Sequence, residues 1–221
     1  MSMSAFIFVH GGNMSTDTWN RLANRNVYPP GGLLGARIWD GTAAYLAAHG
    51  HTVSAPALAD EHTHDLTDHI RQVCNLIETR DLRNVILVGH SYGGMVITGV
   101  AAKMPERIRR LVYLDAALPD PDQSLFDLFY EGRVDPLSFP GLEAALAYVE
   151  KLPFDPRTLQ RLKKTYILCT ESEFSIVTLG ARRRIAAHGK GWTYLELPAS
   201  HVPMATMPGR FYRLMEQIAH Q

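Results

Sequence analysis

The 221-residue sequence contains only two cysteines, Cys74 and Cys169. Two cysteines cannot build a disulfide framework, and their separation does not fit a zinc site. Acidic and basic residues balance at 22 each, so nothing indicates a nucleic-acid or anionic-membrane partner. No apolar run approaches the ~18 residues of a membrane span, and the N-terminus lacks signal-peptide features. We therefore predict a soluble, cytoplasmic protein.

Short apolar runs alternate along the chain with stretches that repeat apolar residues at helical spacing. Such alternation predicts an α/β fold, with a mostly parallel sheet and helices on both faces, in a single domain over residues 1–221. The predicted strands are 6–9, 52–55, 85–88, 111–114, 166–168 and 192–197. The predicted helices are 38–49, 66–79, 92–103, 176–187 and 208–219.

The sequence Gly89-His90-Ser91-Tyr92-Gly93 follows a predicted strand and precedes a predicted helix. A G-x-S-x-G sequence in this context is typical of a sharp turn that exposes the serine hydroxyl. The helix N-terminus behind the turn favours developing negative charge. We therefore predict that Ser91 is a nucleophile.

A serine nucleophile needs a general base, and hydrolases with this turn place an acid and then the base later in the chain. His201 follows the last predicted strand and precedes the last predicted helix, so we expect it to be the base. The loop after the penultimate strand offers two glutamates and no aspartate. We favour Glu173 as the acid, with Glu171 and Asp115 as alternatives.

The transition state of acyl transfer also needs hydrogen-bond donors for its oxyanion. The backbone N–H of Tyr92, directly after the nucleophile, is one expected donor. The sequence His10-Gly11-Gly12 ends the first predicted strand, and we expect Gly12 to provide the other donor. This chemistry requires no metal and no cofactor.

Together, these motifs resemble the α/β-hydrolase fold, and more narrowly the branch of plant methylesterases, hydroxynitrile lyases and related bacterial esterases. The resemblance covers most of the predicted core, including segments 84–98, 105–107 and 111–116. It implies an α/β-hydrolase sheet with a cap, and it implies the nucleophile, base and oxyanion donors already named.

The acid of this branch is usually an aspartate in a loop that reads CTED. This chain reads CTES over residues 169–172, so the literal match is broken. A slide of one residue aligns Glu173 with the acid, which favours Glu173.

Two further departures concern the reaction. The lyases of the branch carry a threonine after the first-strand histidine and a lysine after the catalytic histidine. This chain has Gly11 and Val202 at those positions, which favours ester hydrolysis over cyanohydrin cleavage. We predict a carboxylic ester hydrolase that works through an acyl-enzyme. The alternatives are a lyase-like or cofactor-free enzyme on the same site, and a non-catalytic homologue that binds small molecules.

Two stretches interrupt the strand–helix alternation. We interpret residues 13–36 as an inserted loop near the site, and residues 119–164 as a short cap with a helical piece at 142–152. We hypothesise that the insertion, with Trp19 and Tyr28, supplies a substrate wall that the short cap lacks.

The predicted cap is rich in apolar side chains, which suits a lipophilic or aromatic ester or a lactone, and suits ordinary cap packing equally well. These side chains are Phe126, Leu128, Phe129, Tyr130, Leu137 and Phe139. The expected partner is a small-molecule ester, and a homodimer is left open.

Overall fold

The computed structural model describes residues 3–188 and 191–221. Its strands are β1 (Ala5–Val9), β2 (Thr52–Ser54), β3 (Val85–His90), β4 (Ile108–Leu114), β5 (Lys163–Cys169) and β6 (Trp192–Leu197). They form one sheet in the order β2-β1-β3-β4-β5-β6, and every neighbouring pair is parallel. The predicted α/β class is confirmed. Strand β3 is buried along its whole length, as expected where helices cover both faces.

Helices connect the strands on both sides of the sheet. They are α1 (Thr16–Ala23), α2 (Asp40–Ala48), α3 (Leu66–Thr79), α4 (Gly93–Lys103), α5 (Leu125–Glu131), α6 (Leu146–Val149), α7 (Ser175–His188), α8 (Pro203–Thr206) and α9 (Pro208–Ala219). The sheet grows in opposite directions from β1, so right-handed crossovers place α2 on one face and α3 and α4 on the other. In agreement, α2 packs against α9, and α3 packs against α4. None of the helices described here combines the length and hydropathy that crossing a membrane requires.

The stretch 13–36 contains a helix, α1, where the sequence predicted only a loop. Ser15 caps this helix, because its side chain accepts the Thr18 N–H at 3.1 Å. Trp19 and Leu22 form its buried face. A helix of two turns with so few apolar residues gives little periodic signal. The polar composition of the stretch therefore led to the prediction of a loop.

The cap also differs from its predicted form. The helical piece expected at 142–152 is reduced to the four residues of α6, because Ala145 and Glu150 have extended backbone on either side. The sequence did not predict α5, which begins with a reciprocal capping pair between Ser124 and Asp127. The cap is therefore built from two short α-helices and the 3₁₀ helices Pro136–Ser138 and Pro156–Leu159, joined by irregular chain.

A cavity of about 750 Å³ lies between α4 and α7, against the face of β4 to β6. Its lining includes Thr98, Tyr113, Lys164, Ile185 and Trp192. The predicted site residues do not line it, so this cavity is separate from the candidate site.

Candidate active site

Ser91 occupies a sharp turn directly after β3. Its φ of 55° lies in the left-handed region, which non-glycine residues rarely adopt. Glycines on both sides allow the turn, because backbone atoms approach too closely for a side chain. A Cβ added to Gly89 would lie 2.5 Å from the Gly93 carbonyl oxygen, and one added to Gly93 would lie 2.6 Å from the Val9 carbonyl oxygen. The sequence motif therefore reflects close packing of β1, β3 and α4.

The loop after β1 runs beside this serine, because β1 and β3 are neighbours and end at the same edge of the sheet. A Cβ added to Gly11 would lie 2.8 Å from Ser91 Cβ and 3.2 Å from Ser91 Oγ. The structure thus brings the predicted oxyanion donors, Gly12 and Tyr92, onto the two loops that flank the nucleophile.

His201 and Asp115 form a buried pair. The His201 Nδ1–H donates to Asp115 Oδ2 at 2.6 Å, and the two side chains are 1% and 0% exposed. Asp115 follows β4 directly, with a left-handed φ of 43°, and its N–H donates to the Ile167 carbonyl at 2.8 Å. This backbone bond to β5 turns the carboxylate toward the end of the sheet, where His201 lies.

The acid favoured from the sequence is therefore corrected. Glu173 and Glu171 are both exposed, whereas Asp115, the alternative from the preceding strand, holds His201. The side chain of the loop that reaches the pair is Ser172, which lies between the two glutamates. Its Oγ donates to Asp115 Oδ2. The glutamates point to solvent because Ser172 occupies the inward position of the loop.

The remaining nitrogen of His201 is free for chemistry. Nε2 is buried, and it has no hydrogen-bond partner within residues 3–188 and 191–221. An imidazole that donates Nδ1–H to a carboxylate presents Nε2 as an acceptor. Nε2 can therefore accept a proton, and no hydrogen bond joins it to Ser91 Oγ in the part of the chain that the structure describes.

Two neutral histidines hold the backbone around the site. His90 Nε2–H donates to the His201 carbonyl at 2.7 Å, and burial lowers the pKa of His90 well below its usual value. His10 Nδ1–H donates to the Gly11 carbonyl at 2.7 Å, while its Nε2 accepts the Leu58 N–H at 3.0 Å. Burial lowers the pKa of His10 to about 4. Both rings therefore act as fixed hydrogen-bonding groups near neutral pH.

Aromatic rings surround the His201 imidazole. The Trp19 ring from α1 stacks 6.4 Å away, centroid to centroid, and the rings of Phe174 and Phe139 lie at 4.9 Å and 6.4 Å. Trp19 of the stretch 13–36 is buried and packs near the His201 ring, and its part in a substrate wall stays a hypothesis. Tyr28 is partly buried, and the Asn20 side chain holds its backbone.

Glu61 ties the cap to the loop after β1. Its Oε1 accepts the Asn13 N–H and the Tyr148 hydroxyl, both at 3.0 Å. A Cβ added to Gly12 would lie 2.6 Å from the Tyr148 hydroxyl oxygen, so the phenol covers this loop. Burial, reinforced by the Glu61 charge, raises the pKa of Tyr148 well above its usual value.

Sequence reasoning missed Ser172, Glu61 and Tyr148. Ser172 carried a signal, because it takes the place of the aspartate in the CTED-like loop. Glu61 and Tyr148 carried none, because their contact joins chain segments separated by 87 residues.

Comparison with known proteins agrees with this fold. The alpha/beta hydrolase family model matches residues 6–159. The carbendazim hydrolyzing esterase of Nocardioides sp. is 40% identical over 135 residues, which is 57% of this chain and 47% of that protein. Polyneuridine aldehyde esterase of Rauvolfia serpentina is 36% identical over 106 residues, which is 43% of this chain and 39% of that protein. The chain thus spans less than half the length of these curated relatives.

A solved structure extends the likeness to nearly the whole chain. An extracellular alpha/beta-hydrolase from a Paenibacillus species superposes with a TM-score of 0.71 at 22% identity, covering 97% of this chain and 98% of that one. At this identity the superposition shows the shared fold. The matched family model, the parallel sheet and the serine turn lead to one conclusion: the chain belongs to the alpha/beta hydrolase family.

Proposed function

We propose that this protein is a serine hydrolase that cleaves carboxylic esters, with Ser91 as nucleophile, His201 as base and Asp115 as acid. The observation that carries the proposal is the buried 2.6 Å hydrogen bond between His201 Nδ1 and Asp115 Oδ2. The His201 ring also lies 4.5 Å, centroid to centroid, from the ring of His90, which directly precedes Ser91 in the left-handed turn after β3. The esterases among the curated relatives support the same reaction class.

In this mechanism, Ser91 Oγ attacks the ester carbonyl while His201 Nε2 takes its proton. Asp115 stabilises the imidazolium that forms, and the N–H groups of Gly12 and Tyr92 bind the oxyanion. His201 returns the proton to the leaving alcohol, which gives an acyl-enzyme on Ser91. Water activated by the same imidazole then attacks the acyl-enzyme and releases the carboxylic acid product, which frees Ser91.

The surroundings of the site favour hydrolysis over lyase chemistry. A threonine at position 11 would place its Cβ 2.8 Å from Ser91 Cβ, so the threonine of the lyases does not fit here without displacement. Val202 is fully buried, and a lysine in its place would bury an unpaired charge. The aromatic rings of Trp19, Phe139 and Phe174 favour a lipophilic or aromatic ester as substrate.

A fluorophosphonate probe with intact-mass readout tests the nucleophile, alongside turnover of short p-nitrophenyl esters. We expect one label on the wild type and none on Ser91→Ala, with turnover reduced at least ~10³-fold. Ser175→Ala is the matched control, because it removes an exposed hydroxyl and should keep both label and turnover.

Two outcomes would contradict the proposal. A label that persists on Ser91→Ala would place the reactive group elsewhere. A folded wild type that neither reacts with the probe nor turns over esters would favour the non-catalytic binding protein.

A further inference from the structure

The hydroxyl of Ser172 contacts both members of the buried pair. Its Oγ lies 3.4 Å from His201 Nδ1 and donates to Asp115 Oδ2, the oxygen that also accepts the Nδ1–H. The Phe174 N–H donates to the same Oγ at 3.0 Å. Because Nδ1 and the Phe174 nitrogen are both donors, the single hydroxyl proton has the carboxylate as its acceptor.

The Asp115 carboxylate depends on such donors because it has no exposure to water. Its Oδ1 accepts the Cys169 N–H at 3.1 Å, and its Oδ2 accepts Ser172 and His201. A buried carboxylate stays ionised only where hydrogen-bond donors replace water. Ser172 is therefore one of three groups that hold this charge.

Other titratable groups around the pair are neutral near pH 7. They are His90 on β3, Tyr166 and Cys169 on β5, and Tyr194 on β6. Burial lowers the pKa of the imidazole and raises the pKa of the other three. The rings that face His201 from α1, the cap and the loop before α7 do not titrate, and they are Trp19, Phe139 and Phe174. Asp115 is the carboxylate that contacts His201.

We propose that Ser172 is a positioning residue, whose hydroxyl holds the Asp115 carboxylate against His201. The inference rests on the proposed function, because it gives Ser172 a part in the same reaction. Without the hydroxyl, the carboxylate is held less firmly against His201, so it stabilises the imidazolium less. The acid limb of the rate profile then moves to lower pH, since the base must be neutral to act.

The same geometry makes position 172 a second place from which a carboxylate can reach His201. The Ser172 Oγ already lies 3.4 Å from Nδ1, and an aspartate side chain is one atom longer. The acid can therefore be moved from the end of β4 to the loop after β5 by two substitutions, Asp115→Asn and Ser172→Asp.

The first experiment compares Ser172→Ala and Ser172→Thr with wild type, using the pH profile of kcat/KM on p-nitrophenyl acetate. Loss of one hydrogen bond to a charged group should lower kcat/KM about tenfold in Ser172→Ala, and the acid limb should move to lower pH by about half a pH unit. Ser172→Thr keeps the hydroxyl and should recover most of the loss. A Ser172→Ala profile that superposes on wild type would overturn the proposal.

Proton NMR of the downfield His201 Nδ1–H gives a readout that needs no turnover. We expect this resonance in wild type and in Ser172→Thr, and we expect it to move upfield and exchange faster in Ser172→Ala. An unchanged resonance would refute the role of Ser172. If wild type is inactive on esters, the proposed function fails, while this resonance still decides the positioning role.

The second experiment compares two double variants that differ only at position 172. Asp115→Asn with Ser172→Asp should turn over at least about tenfold faster than Asp115→Asn with Ser172→Ala, because only the former has a carboxylate for His201. Equal rates, with both proteins folded by circular dichroism, would show that position 172 cannot orient the base.

Discussion

The two ends of the candidate site are built in different ways. The serine end is fixed by backbone packing, where Gly89 and Gly93 press against neighbouring carbonyl oxygens and a Cβ at Gly94 would overlap the Ala117 carbonyl oxygen. The acid end is fixed by side chains, with the Asp115 carboxylate held by Ser172 and His201. Close backbone approach tolerates little substitution, whereas a hydrogen-bonded carboxylate can be supplied from more than one strand.

Their electrostatics differ as well. The serine end uses the neutral rings of His10 and His90 as hydrogen-bonding groups, and burial keeps both uncharged. The acid end places a carboxylate next to an imidazole, which becomes cationic in the mechanism that we propose. Substitutions and pH changes should therefore affect the two ends differently.

The largest expected effect is the difference in kcat between a substitution at Asp115 and substitutions at Glu171 and Glu173. Asp115→Asn should lower kcat by about 10³–10⁴-fold, because the imidazole loses its orienting carboxylate. Glu173→Gln and Glu171→Gln, the matched controls on exposed side chains, should stay within about twofold of wild type. Steady-state kinetics on p-nitrophenyl esters measure all three. A severe loss in Glu173→Gln with a silent Asp115→Asn would return the acid to the loop after β5.

The second-largest expected effect is a loss of folding stability at acid pH, caused by the buried His10 at the serine end. The pKa of His10 falls from 6.5 to about 4 on folding, so between these values the unfolded chain binds a proton that the native state does not. The free energy of unfolding should therefore fall as pH drops through this window, by about 3 kcal/mol from His10 alone. His90 acts in the same direction.

Urea unfolding near neutral pH and at about pH 5 measures this term. His10→Gln cannot titrate, so its loss of stability on acidification should be smaller than that of wild type. His64→Gln, at an exposed histidine, should keep the wild-type dependence. Identical pH dependence in His10→Gln and wild type would show that His10 does not carry the effect.

Backbone packing at the serine end predicts a stability loss without any polar change. Gly94→Ala should destabilise the fold by about 1–3 kcal/mol, because the new methyl group meets the Ala117 carbonyl. Gly209→Ala, at an exposed helical glycine with its nearest neighbour at 3.6 Å, should change stability by less than about 1 kcal/mol. Thermal or urea unfolding distinguishes them, and equal midpoints would refute the packing argument.

The smallest effect concerns the contact between the cap and the loop after β1. Glu61→Ala leaves the Asn13 N–H and the Tyr148 hydroxyl without their acceptor, and kcat/KM should fall about tenfold. Tyr148→Phe removes only the bond from the cap and should cost less. A larger loss in Tyr148→Phe than in Glu61→Ala would mean that the phenol acts on the substrate directly.

The sequence allowed the sharp turn at Ser91 and its place after a strand to be predicted. Glycines at fixed spacing around Ser91 record the backbone approach, and the alternation of strands and helices places the loops at one edge of the sheet. The position of His201 followed from chain order, and the structure places it beside this edge. These features are local, so a single sequence carries them.

The acid could not be predicted in the same way. Three carboxylates followed two neighbouring strands, and only side-chain direction separates them. The left-handed φ of Asp115 and the inward position of Ser172 set that direction, and neither has a sequence signature. The helix α1 was missed for a related reason, since its buried face consists of few residues, among them Trp19.

The segment that leads from Asp115 into the cap determines where the chain can tolerate insertions and deletions. Directly after Asp115, the Ala116 carbonyl accepts the Tyr166 hydroxyl at 2.6 Å, and the Ala117 N–H donates to the Ser91 carbonyl at 2.9 Å. These two hydrogen bonds hold the chain close to Ser91 and to β5 before it enters the cap. Insertions or deletions between residue 118 and β5 can therefore reshape the cap while Asp115 and Ser91 keep their positions. For the hydrolase that we propose, new substrate ranges could then arise through the cap without moving either residue.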